Sequence, residues 1–252
     1  MASKVYLRFY AELNDFLPPD WRQVTIQRYF SNHQTLKDMI EALGVPHTEV
    51  DLILVNGKSV DFSYRPAADD RISVYPVFEA FDISTLLKVR PEPLREPKFV
   101  LDTHLGRLAA YLRMLGFDTL YNNNYCDAEL AKISAGENRI LLTRDRGLLK
   151  RSMVSHGYLV RSDDPQKQVP EVLNRFDLSD SIKPFSRCMH CNDYIIRIDP
   201  DTVKARISEK VWQRCSEYSR CQNCNRIYWK GTHYYRMQEL IKQFIREKQR
   251  QH

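Results

Sequence analysis

Four cysteines in the last third of the sequence have the spacing of a metal site. They form two Cys-x-x-Cys pairs, Cys188 with Cys191 and Cys221 with Cys224, and 29 residues separate the pairs. Each pair makes a tight turn that directs two sulfurs to one point, and a hairpin between the pairs brings all four together. This arrangement suits tetrahedral thiolate coordination of zinc. Two disulfides and a Cys-x-x-Cys redox couple are the alternatives.

The residues around the cysteines predict a structural zinc ion in a zinc ribbon. Residues 194–198 and 226–229 have the composition of strands. Disulfides need an oxidising compartment, and we find neither a signal-peptide pattern nor an apolar stretch long enough to span a membrane, so we expect a reduced, cytoplasmic protein. Because four sulfurs complete a zinc site, we expect His190, His233 and the Cys215 thiol to lie outside the coordination shell.

Three carboxylates lie where predicted strands end or predicted helices begin. Asp102 follows the apolar run 98–101, Asp145 follows the run 139–143, and Asp127 opens a helical segment between them. Ligands of open parallel sheets bind at the carboxyl ends of the strands, so we expect the three acids to converge on a Mg²⁺ or Mn²⁺ ion. Such an ion activates water and supports phosphoryl transfer. The alternative is that these acids only cap helices, which is less favoured for Asp102 because Thr103 could serve as the cap there.

Positive charge is concentrated toward the carboxyl-terminal end. Residues 187–252 carry 14 Lys and Arg against 7 Asp and Glu, whereas residues 1–82 carry 8 against 12. Aromatic residues are interleaved with the cations of the carboxyl-terminal part, which suits a phosphate backbone with stackable bases. The alternative is a solvated basic helix beside ordinary core aromatics. Arginines also surround the three acids, and those expected to contact nucleic-acid phosphates are Arg107, Arg113, Arg144 and Arg146.

The order of predicted elements divides the chain into three domains. Residues 1–81 contain strands and a helix at 35–43, in an order that resembles a ubiquitin-like β-grasp domain of the α+β class. Residues 82–97 are rich in proline and charge and predict a linker. Residues 98–185 alternate strands with helices, which predicts an α/β domain with a parallel sheet. Residues 186–252 form the predicted ribbon and a basic amphipathic helix.

Several motifs together resemble the Mut-seven C-terminal RNase domain family. The motifs are the segments 99–118, 140–149 and 227–233 and the two cysteine pairs. The resemblance covers residues 98–245 and implies a PIN-like nuclease fold that carries a zinc ribbon. It also implies that Asp102, Asp127 and Asp145 occupy the acidic metal-binding positions of PIN-like nucleases. The region before residue 98 resembles the ubiquitin-like domain that is often fused ahead of this family.

These observations together predict a metal-dependent ribonuclease that grips RNA through its zinc ribbon and basic helix. A first alternative is a non-catalytic RNA-binding or ribosome-associated protein. A second is a ubiquitin-like or sulfur-carrier-like adaptor, but such carriers act through a free terminal Gly-Gly, and here the sequence continues through residues 77–81 without that pair. The acidic balance of the amino-terminal domain is unfavourable for RNA, so we expect it to dock a protein partner or to orient the nuclease.

Overall fold

The computed structural model describes residues 3–31, 33–76, 89 and 97–249. The predicted linker 82–97 therefore lies outside the described residues apart from Val89 and Pro97, as does the extension at 77–81. The chain divides into two compact units, which are Met1–Glu96 with Cys126–Leu159 and Pro97–Tyr125 with Val160–His252. This division differs from the predicted domain boundaries, because residues 126–159 group with the amino-terminal part of the chain.

The first unit begins with a β-grasp fold. Its elements are β1 (Ser3–Phe9), β2 (Ile26–Phe30), α1 (Leu36–Ala42), β3 (Leu52–Val55), β4 (Lys58–Val60) and β5 (Arg71–Tyr75). Among the described residues these strands form a mixed sheet in the order β2-β1-β5-β3-β4, with β1 parallel to β5. The sequence predicted β1, β2, α1, β3 and β5 along the chain but not β4, which has only three residues and no alternating pattern of its own.

The β-grasp core lies on one face of this sheet. The alternate residues Val5, Leu7 and Phe9 of β1 are buried, because successive side chains of a strand point to opposite faces. Helix α1 covers them and begins at a capping box, in which Thr35 Oγ1 accepts from the Asp38 amide and the Asp38 carboxylate accepts from the Thr35 amide. One sheet face therefore forms the core of this fold.

The rest of the first unit is an α/β segment. It contains α3 (Asp127–Glu137), β8 (Ile140–Thr143), α4 (Arg146–Leu149) and β9 (Gly157–Leu159), numbered by their place in the whole chain. Strands β8 and β9 are parallel, with Leu141 opposite Gly157. All four residues of β8 are buried, which is typical of a parallel strand covered on both faces.

The second unit contains the remaining α/β elements. These are β6 (Phe99–Leu101), α2 (Gly106–Met114), β7 (Thr119–Tyr121) and α5 (Pro165–Arg175), and β6 pairs in parallel with β7. Helix α2 is followed by Gly116 at φ +99, where a Cβ atom would lie 2.2 Å from the Lys183 carbonyl oxygen. Glycine is therefore required for the segment at 183 to pack against this helix end. The parallel pairs found in both units confirm the mixed α/β class with parallel strands.

A small antiparallel sheet and a long helix complete the second unit. Their elements are β10 (Ile195–Ile198), α6 (Glu209–Trp212), β11 (Tyr218–Cys221), β12 (Ile227–Trp229) and α7 (Thr232–Gln249). The described strands follow the order β10-β11-β12, and both pairings are antiparallel. The sequence predicted β10, β12 and α7. It did not predict β11, because two of that strand's four residues are Ser and Arg. Within the described part of the chain, no helix has the length and apolar character needed to cross a membrane.

Candidate metal centres and nucleic-acid interface

The four paired cysteines converge at one end of the small antiparallel sheet. Cys188 and Cys191 lie in the turn before β10, Cys221 ends β11, and Cys224 lies in the turn before β12. Their four sulfurs all lie within 4.8 Å of one another. The Sγ atoms of Cys188 and Cys224 are 3.6 Å apart, and those of Cys191 and Cys221 are 3.3 Å apart. The hairpin predicted from the spacing thus brings four distant sulfurs to one point.

This sulfur cluster fits a tetrahedral zinc ion. Zinc–sulfur bonds of about 2.3 Å in a tetrahedron set sulfur–sulfur distances of about 3.8 Å, close to the distances observed. Burial opposes ionisation of the Cys188 thiol, but hydrogen bonds from Tyr228 and from the backbone of Cys191 and His190 lower its pKa to about 6. Burial raises the pKa of Cys221 to about 12, so a bound cation would be needed to favour its thiolate.

His190, His233 and Cys215, which were predicted not to coordinate the metal, lie outside this cluster. His190 and His233 are exposed, and the group of converging ligands consists of the four paired cysteines. The Cys215 thiol is free and lies 3.7 Å from the carbonyl oxygen of Lys230. All six cysteines are free thiols. Among the residues that the structure describes, the acids form no comparable group of three or more ligands.

Asp102 lies immediately after β6 and is buried. The residue is 7% exposed, and its Oδ1 accepts hydrogen bonds from the Thr103 amide at 2.6 Å and the Thr103 hydroxyl at 3.2 Å. These bonds cap the short helical turn that precedes α2. The cap role that the sequence favoured for Thr103 therefore belongs to Asp102. Tyr121 fixes the same turn by donating to the Thr103 carbonyl oxygen at 2.9 Å.

Asp145 and Asp127 lie at the beginnings of α4 and α3. Asp145 is the N-cap of α4, because its Oδ1 accepts from the Gly147 amide at 2.6 Å. Asp127 is the first residue of α3 rather than its cap, and its carboxylate lies 3.5 Å from the Arg151 guanidinium. Both carboxylates are exposed. Capping and ion pairing thus account for both positions without any ligand, and their metal-binding role remains a prediction.

Arg113 was predicted to contact phosphate, but its side chain lies inside the protein. Its side chain is buried, and its guanidinium donates to the carbonyl oxygens of Thr119 at 2.8 Å, Met189 at 3.2 Å and His190 at 3.0 Å. Burial lowers its pKa, which the neighbouring Cys188 and Cys191 oppose. Because its donors point to the backbone of the first cysteine turn, we withdraw Arg113 from the nucleic-acid surface and assign it to support of the cysteine cluster.

Asn192 is a second supporting residue, and sequence reasoning did not select it. Its Oδ1 accepts from the Thr119 amide at 2.8 Å, and its Nδ2 donates to Asp118 Oδ1 at 2.8 Å. Its backbone lies in the left-handed region at φ 71, which asparagine tolerates better than most residues. An asparagine directly after a Cys-x-x-Cys turn is the one sequence signal that would have identified it. Asn192 thereby joins the first cysteine turn to β7.

The other three predicted arginines are exposed. Arg107 lies on α2, Arg144 follows β8, and Arg146 begins α4. The Arg146 guanidinium lies 5.0 Å from the Phe16 ring centroid and donates to the carbonyl oxygens of Phe16 at 3.3 Å and Asp15 at 3.4 Å. It is thus engaged by the β-grasp fold of its own unit, whereas the surface position of Arg107 is compatible with a phosphate contact.

Further contacts inside the first unit join the β-grasp fold to residues 146–159. The His47 ring lies between Glu41 Oε1 at 2.6 Å and the Val154 carbonyl oxygen at 2.7 Å, and Glu49 Oε1 accepts from the Leu159 amide at 2.6 Å. Lys150 Nζ donates to the Glu41 carbonyl oxygen at 2.7 Å. The amino-terminal fold therefore supports the segment that follows Asp145.

Exposed aromatics and cations cover the small antiparallel sheet and the start of α7. Tyr194 is 54% exposed, Trp229 is 40% exposed and Tyr235 is 57% exposed. The Arg187 guanidinium lies 4.3 Å from the Tyr194 ring centroid, and Lys230 Nζ lies 6.0 Å from that of Tyr234. Stackable rings beside cations are what a single-stranded nucleic acid requires of a protein surface.

Comparison with known proteins identifies the family. The family model described as the Mut7-C RNAse domain matches residues 97–241, and the model described as Mut7-C ubiquitin matches residues 2–82. The chain therefore belongs to the Mut7-C RNase domain family and carries the Mut7-C ubiquitin domain at its amino-terminal end. This confirms the resemblance inferred from the motifs.

Individual proteins add little to the family assignment. No curated protein is significantly similar to the chain. SAMP1 from Haloferax volcanii is similar to it at 16% identity and a TM-score of 0.25, over 31% of this chain and 99% of that chain. A second structure, the H. volcanii small archaeal modifier protein 1, has 17% identity and a TM-score of 0.24, over 29% of this chain and 97% of that chain.

Proposed function

We propose that this protein is a metal-dependent ribonuclease, a hydrolase of RNA phosphodiester bonds. The observation that carries the proposal is the buried carboxylate of Asp102, which lies at the carboxyl end of β6 inside the region matched by the RNase family. A carboxylate is costly to bury, and the carboxyl end of a parallel strand is where α/β folds place their ligands.

Asp102, Asp127 and Asp145 are proposed to hold the Mg²⁺ or Mn²⁺ ion. The donor set fits, because carboxylate oxygens are the ligands that these hard cations prefer. Oδ1 of Asp102 and Oδ1 of Asp145 accept the cap hydrogen bonds, and in Asp145 this leaves the second carboxylate oxygen as a possible ligand. The cap bonds also fix the orientation of both carboxylates. When bound, the cation would supply an activated water and stabilise charge on the phosphate.

Zinc is proposed as a structural ion held by Cys188, Cys191, Cys221 and Cys224 in a zinc ribbon. The convergence of the four sulfurs and the three-stranded sheet support this assignment. Four sulfur ligands fill a tetrahedral site and leave no position for a water nucleophile, so the ion has no catalytic part. The six free thiols also suit a reducing cytoplasm, which is the proposed location.

The basic carboxyl-terminal third is proposed to grip the RNA. Tyr194, Trp229 and Tyr235 offer exposed rings, and neighbouring lysines and arginines offer phosphate contacts. Arg107 and Arg144 are proposed to extend this grip toward the acids. Arg146 remains a weaker candidate, because its guanidinium already contacts the carbonyl oxygens of Asp15 and Phe16.

A non-catalytic RNA-binding protein is the second candidate. The cap bonds of Asp102 and Asp145 favour it, because they explain both positions structurally. The test is an assay of cleavage against unstructured and hairpin RNAs, with Mn²⁺ present, with Mn²⁺ omitted, and with the zinc content measured in each sample. Cleavage that requires Mn²⁺ while zinc stays at one ion per chain supports the nuclease. Binding of RNA with no cleavage of any substrate in Mn²⁺ would establish the second candidate.

A further inference from the structure

The outer face of the β-grasp sheet, opposite the core, carries cations and tyrosines. Direct cross-strand partners lie on the same face, and the register pairs Lys4 with Tyr29, Tyr6 with Arg71, and Arg8 with Ser73. The positions of β1, β2 and β5 that share this face, here called the cationic sheet face, are Lys4, Tyr6, Arg8, Gln27, Tyr29, Arg71, Ser73 and Tyr75. None of them is acidic, nor are Leu52, Leu54 and Ser59, which continue the face on β3 and β4.

The cationic sheet face is positively charged, although its domain carries a net negative charge. Residues 1–82 contain more acids than cations, yet three of their eight Lys and Arg residues lie together on this face. Several acids are bound elsewhere: Asp38 in the α1 cap, Glu49 at the Leu159 amide, and Asp70 at Asn56 and Tyr64. Asp69, in the turn before β5, donates its amide to the Lys4 carbonyl oxygen at 2.8 Å and is one acid close to Lys4. Net charge is thus a poor guide to this domain, because its charges are segregated.

The rings and cations of the face are arranged as a stacking surface. Tyr10, which follows β1, stacks on Tyr75 with ring centroids 4.3 Å apart. Arg8 lies 5.4 Å from the Tyr10 centroid, and Lys4 lies 5.5 Å from the Tyr6 centroid. Tyr29 is 66% exposed, and Arg8 and Arg71 are also exposed. Between them runs an open groove of about 400 Å³, lined by Tyr6, Arg8, Tyr10, Thr25, Arg71, Ile72 and Ser73.

We propose that the cationic sheet face binds single-stranded RNA. A sheet surface with exposed aromatic rings can stack unpaired bases, and cations beside the rings can contact the phosphates between them. Here Tyr6 and Tyr29 offer rings, and Lys4, Arg8 and Arg71 offer the charges. The inference rests on RNA as the proposed substrate and adds a second, amino-terminal contact with it. The cations of the face favour a polyanion as its ligand. The exposed rings favour RNA over an acidic protein, because they can stack on bases, which a protein lacks.

The test compares two charge reversals of the full-length protein. Arg8→Glu with Arg71→Glu changes the face, whereas Lys58→Glu with Arg65→Glu makes the same change in net charge at exposed positions elsewhere in the domain. The probe is a fluorescent oligouridylate in buffer without divalent cation, so that binding is measured without cleavage. If circular dichroism shows that the Arg8→Glu, Arg71→Glu double variant does not fold, the neutral double variant Arg8→Gln with Arg71→Gln takes its place.

We expect the face variant to bind the oligouridylate about tenfold more weakly than wild type at low salt. Its slope of log affinity against log salt should fall by about 1.4, since each lost contact to a single strand contributes about 0.7. The control should keep the wild-type slope. A face variant that matches the control in affinity and slope overturns the proposal. If the wild-type protein binds the oligouridylate but cleaves no RNA in Mn²⁺, the proposed nuclease is refuted. The comparison of binding between the face variant and its control still holds in that case.

Discussion

The four cysteines and the three acids were both predicted to bind metal, but the fold accounts for them differently. The cysteine sulfurs come from positions up to 36 residues apart and meet within 4.8 Å. Asp102 and Asp145 cap local helical turns, and Asp127 pairs with Arg151. Local preferences cannot bring four distant thiols together, whereas they explain an acid at a helix start without any ligand. Convergence is therefore the stronger evidence of a metal site.

The difference also shows how the two groups have to be tested. Removal of a cysteine tests metal binding directly, because its thiol has no separate cap role. Removal of an acid would disturb the helix start and the proposed metal site together. Asparagine separates these effects, because it is as good an N-cap as aspartate and lacks the negative charge.

The largest effect is expected from Asp102→Asn and Asp145→Asn. Each should reduce RNA cleavage in Mn²⁺ on the order of 10²- to 10³-fold, which is typical of losing one preorganised group that stabilises the transition state. RNA binding should persist, and the melting temperature should stay close to that of wild type. The double variant should lose little more than either single one, because both acids serve one site. Single-turnover cleavage and fluorescence anisotropy measure the two quantities.

Asp164→Asn is the matched control for both changes. Asp164 caps α5 through the same bond, with its Oδ1 accepting from the Gln166 amide at 2.9 Å, and it has no predicted catalytic role. Its cleavage rate should equal that of wild type. If Asp102→Asn, Asp145→Asn and Asp164→Asn all cleave like wild type, the acids are caps alone and the nuclease site is wrongly assigned.

Cys188→Ser should remove stoichiometric zinc and loosen the small antiparallel sheet. Structural zinc contributes folding free energy directly, on the order of 10 kcal/mol in isolated zinc-finger peptides. The first unit contains none of the four ligands, so its hydrogen-exchange protection should remain. Metal analysis and exchange mass spectrometry check this, with Cys215→Ser as the control. Full zinc content in Cys188→Ser, or a disulfide within either pair of the wild type, would contradict the tetrathiolate site.

A smaller effect on stability is expected from Arg113→Ala. The change leaves three backbone carbonyls without their donor, at a cost of about 1–3 kcal/mol for each buried group left unsatisfied. Thermal unfolding should therefore shift downward, with weaker zinc retention. Arg107→Ala, at an exposed position, should instead leave stability unchanged and weaken RNA binding. The reverse outcome, with Arg113→Ala stable and impaired only in RNA binding, would restore the phosphate contact that we withdrew.

The smallest effect is expected from His190→Ala. The residue is exposed, and four sulfurs would complete the proposed zinc site, so the free energy of unfolding should change by less than about 0.5 kcal/mol. Zinc stoichiometry should remain one ion per chain. Chemical denaturation and metal analysis provide the test, and a clear loss of zinc would place His190 among the ligands.

Local sequence patterns predicted most helices and strands, but they did not predict the long-range contacts. The periodicity of Leu36, Ile40 and their neighbours, with the Thr35 cap, was enough to predict α1. Strand β11 was missed because Ser219 and Arg220 interrupt its apolar character. The Arg113 bond to Met189 spans 76 residues, and no local signal specifies such a partner. Tertiary placement decided whether that arginine faced solvent or the cysteine turn.

The candidate site shows the same limit. Spacing alone predicted the cysteine cluster, because each Cys-x-x-Cys turn presets two ligands. Strand ends predicted where the acids lie in the chain, but not that Asp102 would replace Thr103 as the cap. The support of residues 146–159 by His47 and Glu49 was also unforeseen, because it joins segments about a hundred residues apart.

Direct measurement of Mn²⁺ binding tests the central claim most sharply. Electron paramagnetic resonance of the zinc-loaded, full-length protein without RNA would count bound Mn²⁺ in wild type, in Asp102→Asn and in Asp164→Asn. Wild type and Asp164→Asn are predicted to bind Mn²⁺ with the same affinity, and Asp102→Asn is predicted to bind it at least tenfold more weakly. Equal Mn²⁺ binding by all three proteins, or none by the wild type, would contradict the assignment of these carboxylates to a catalytic metal site.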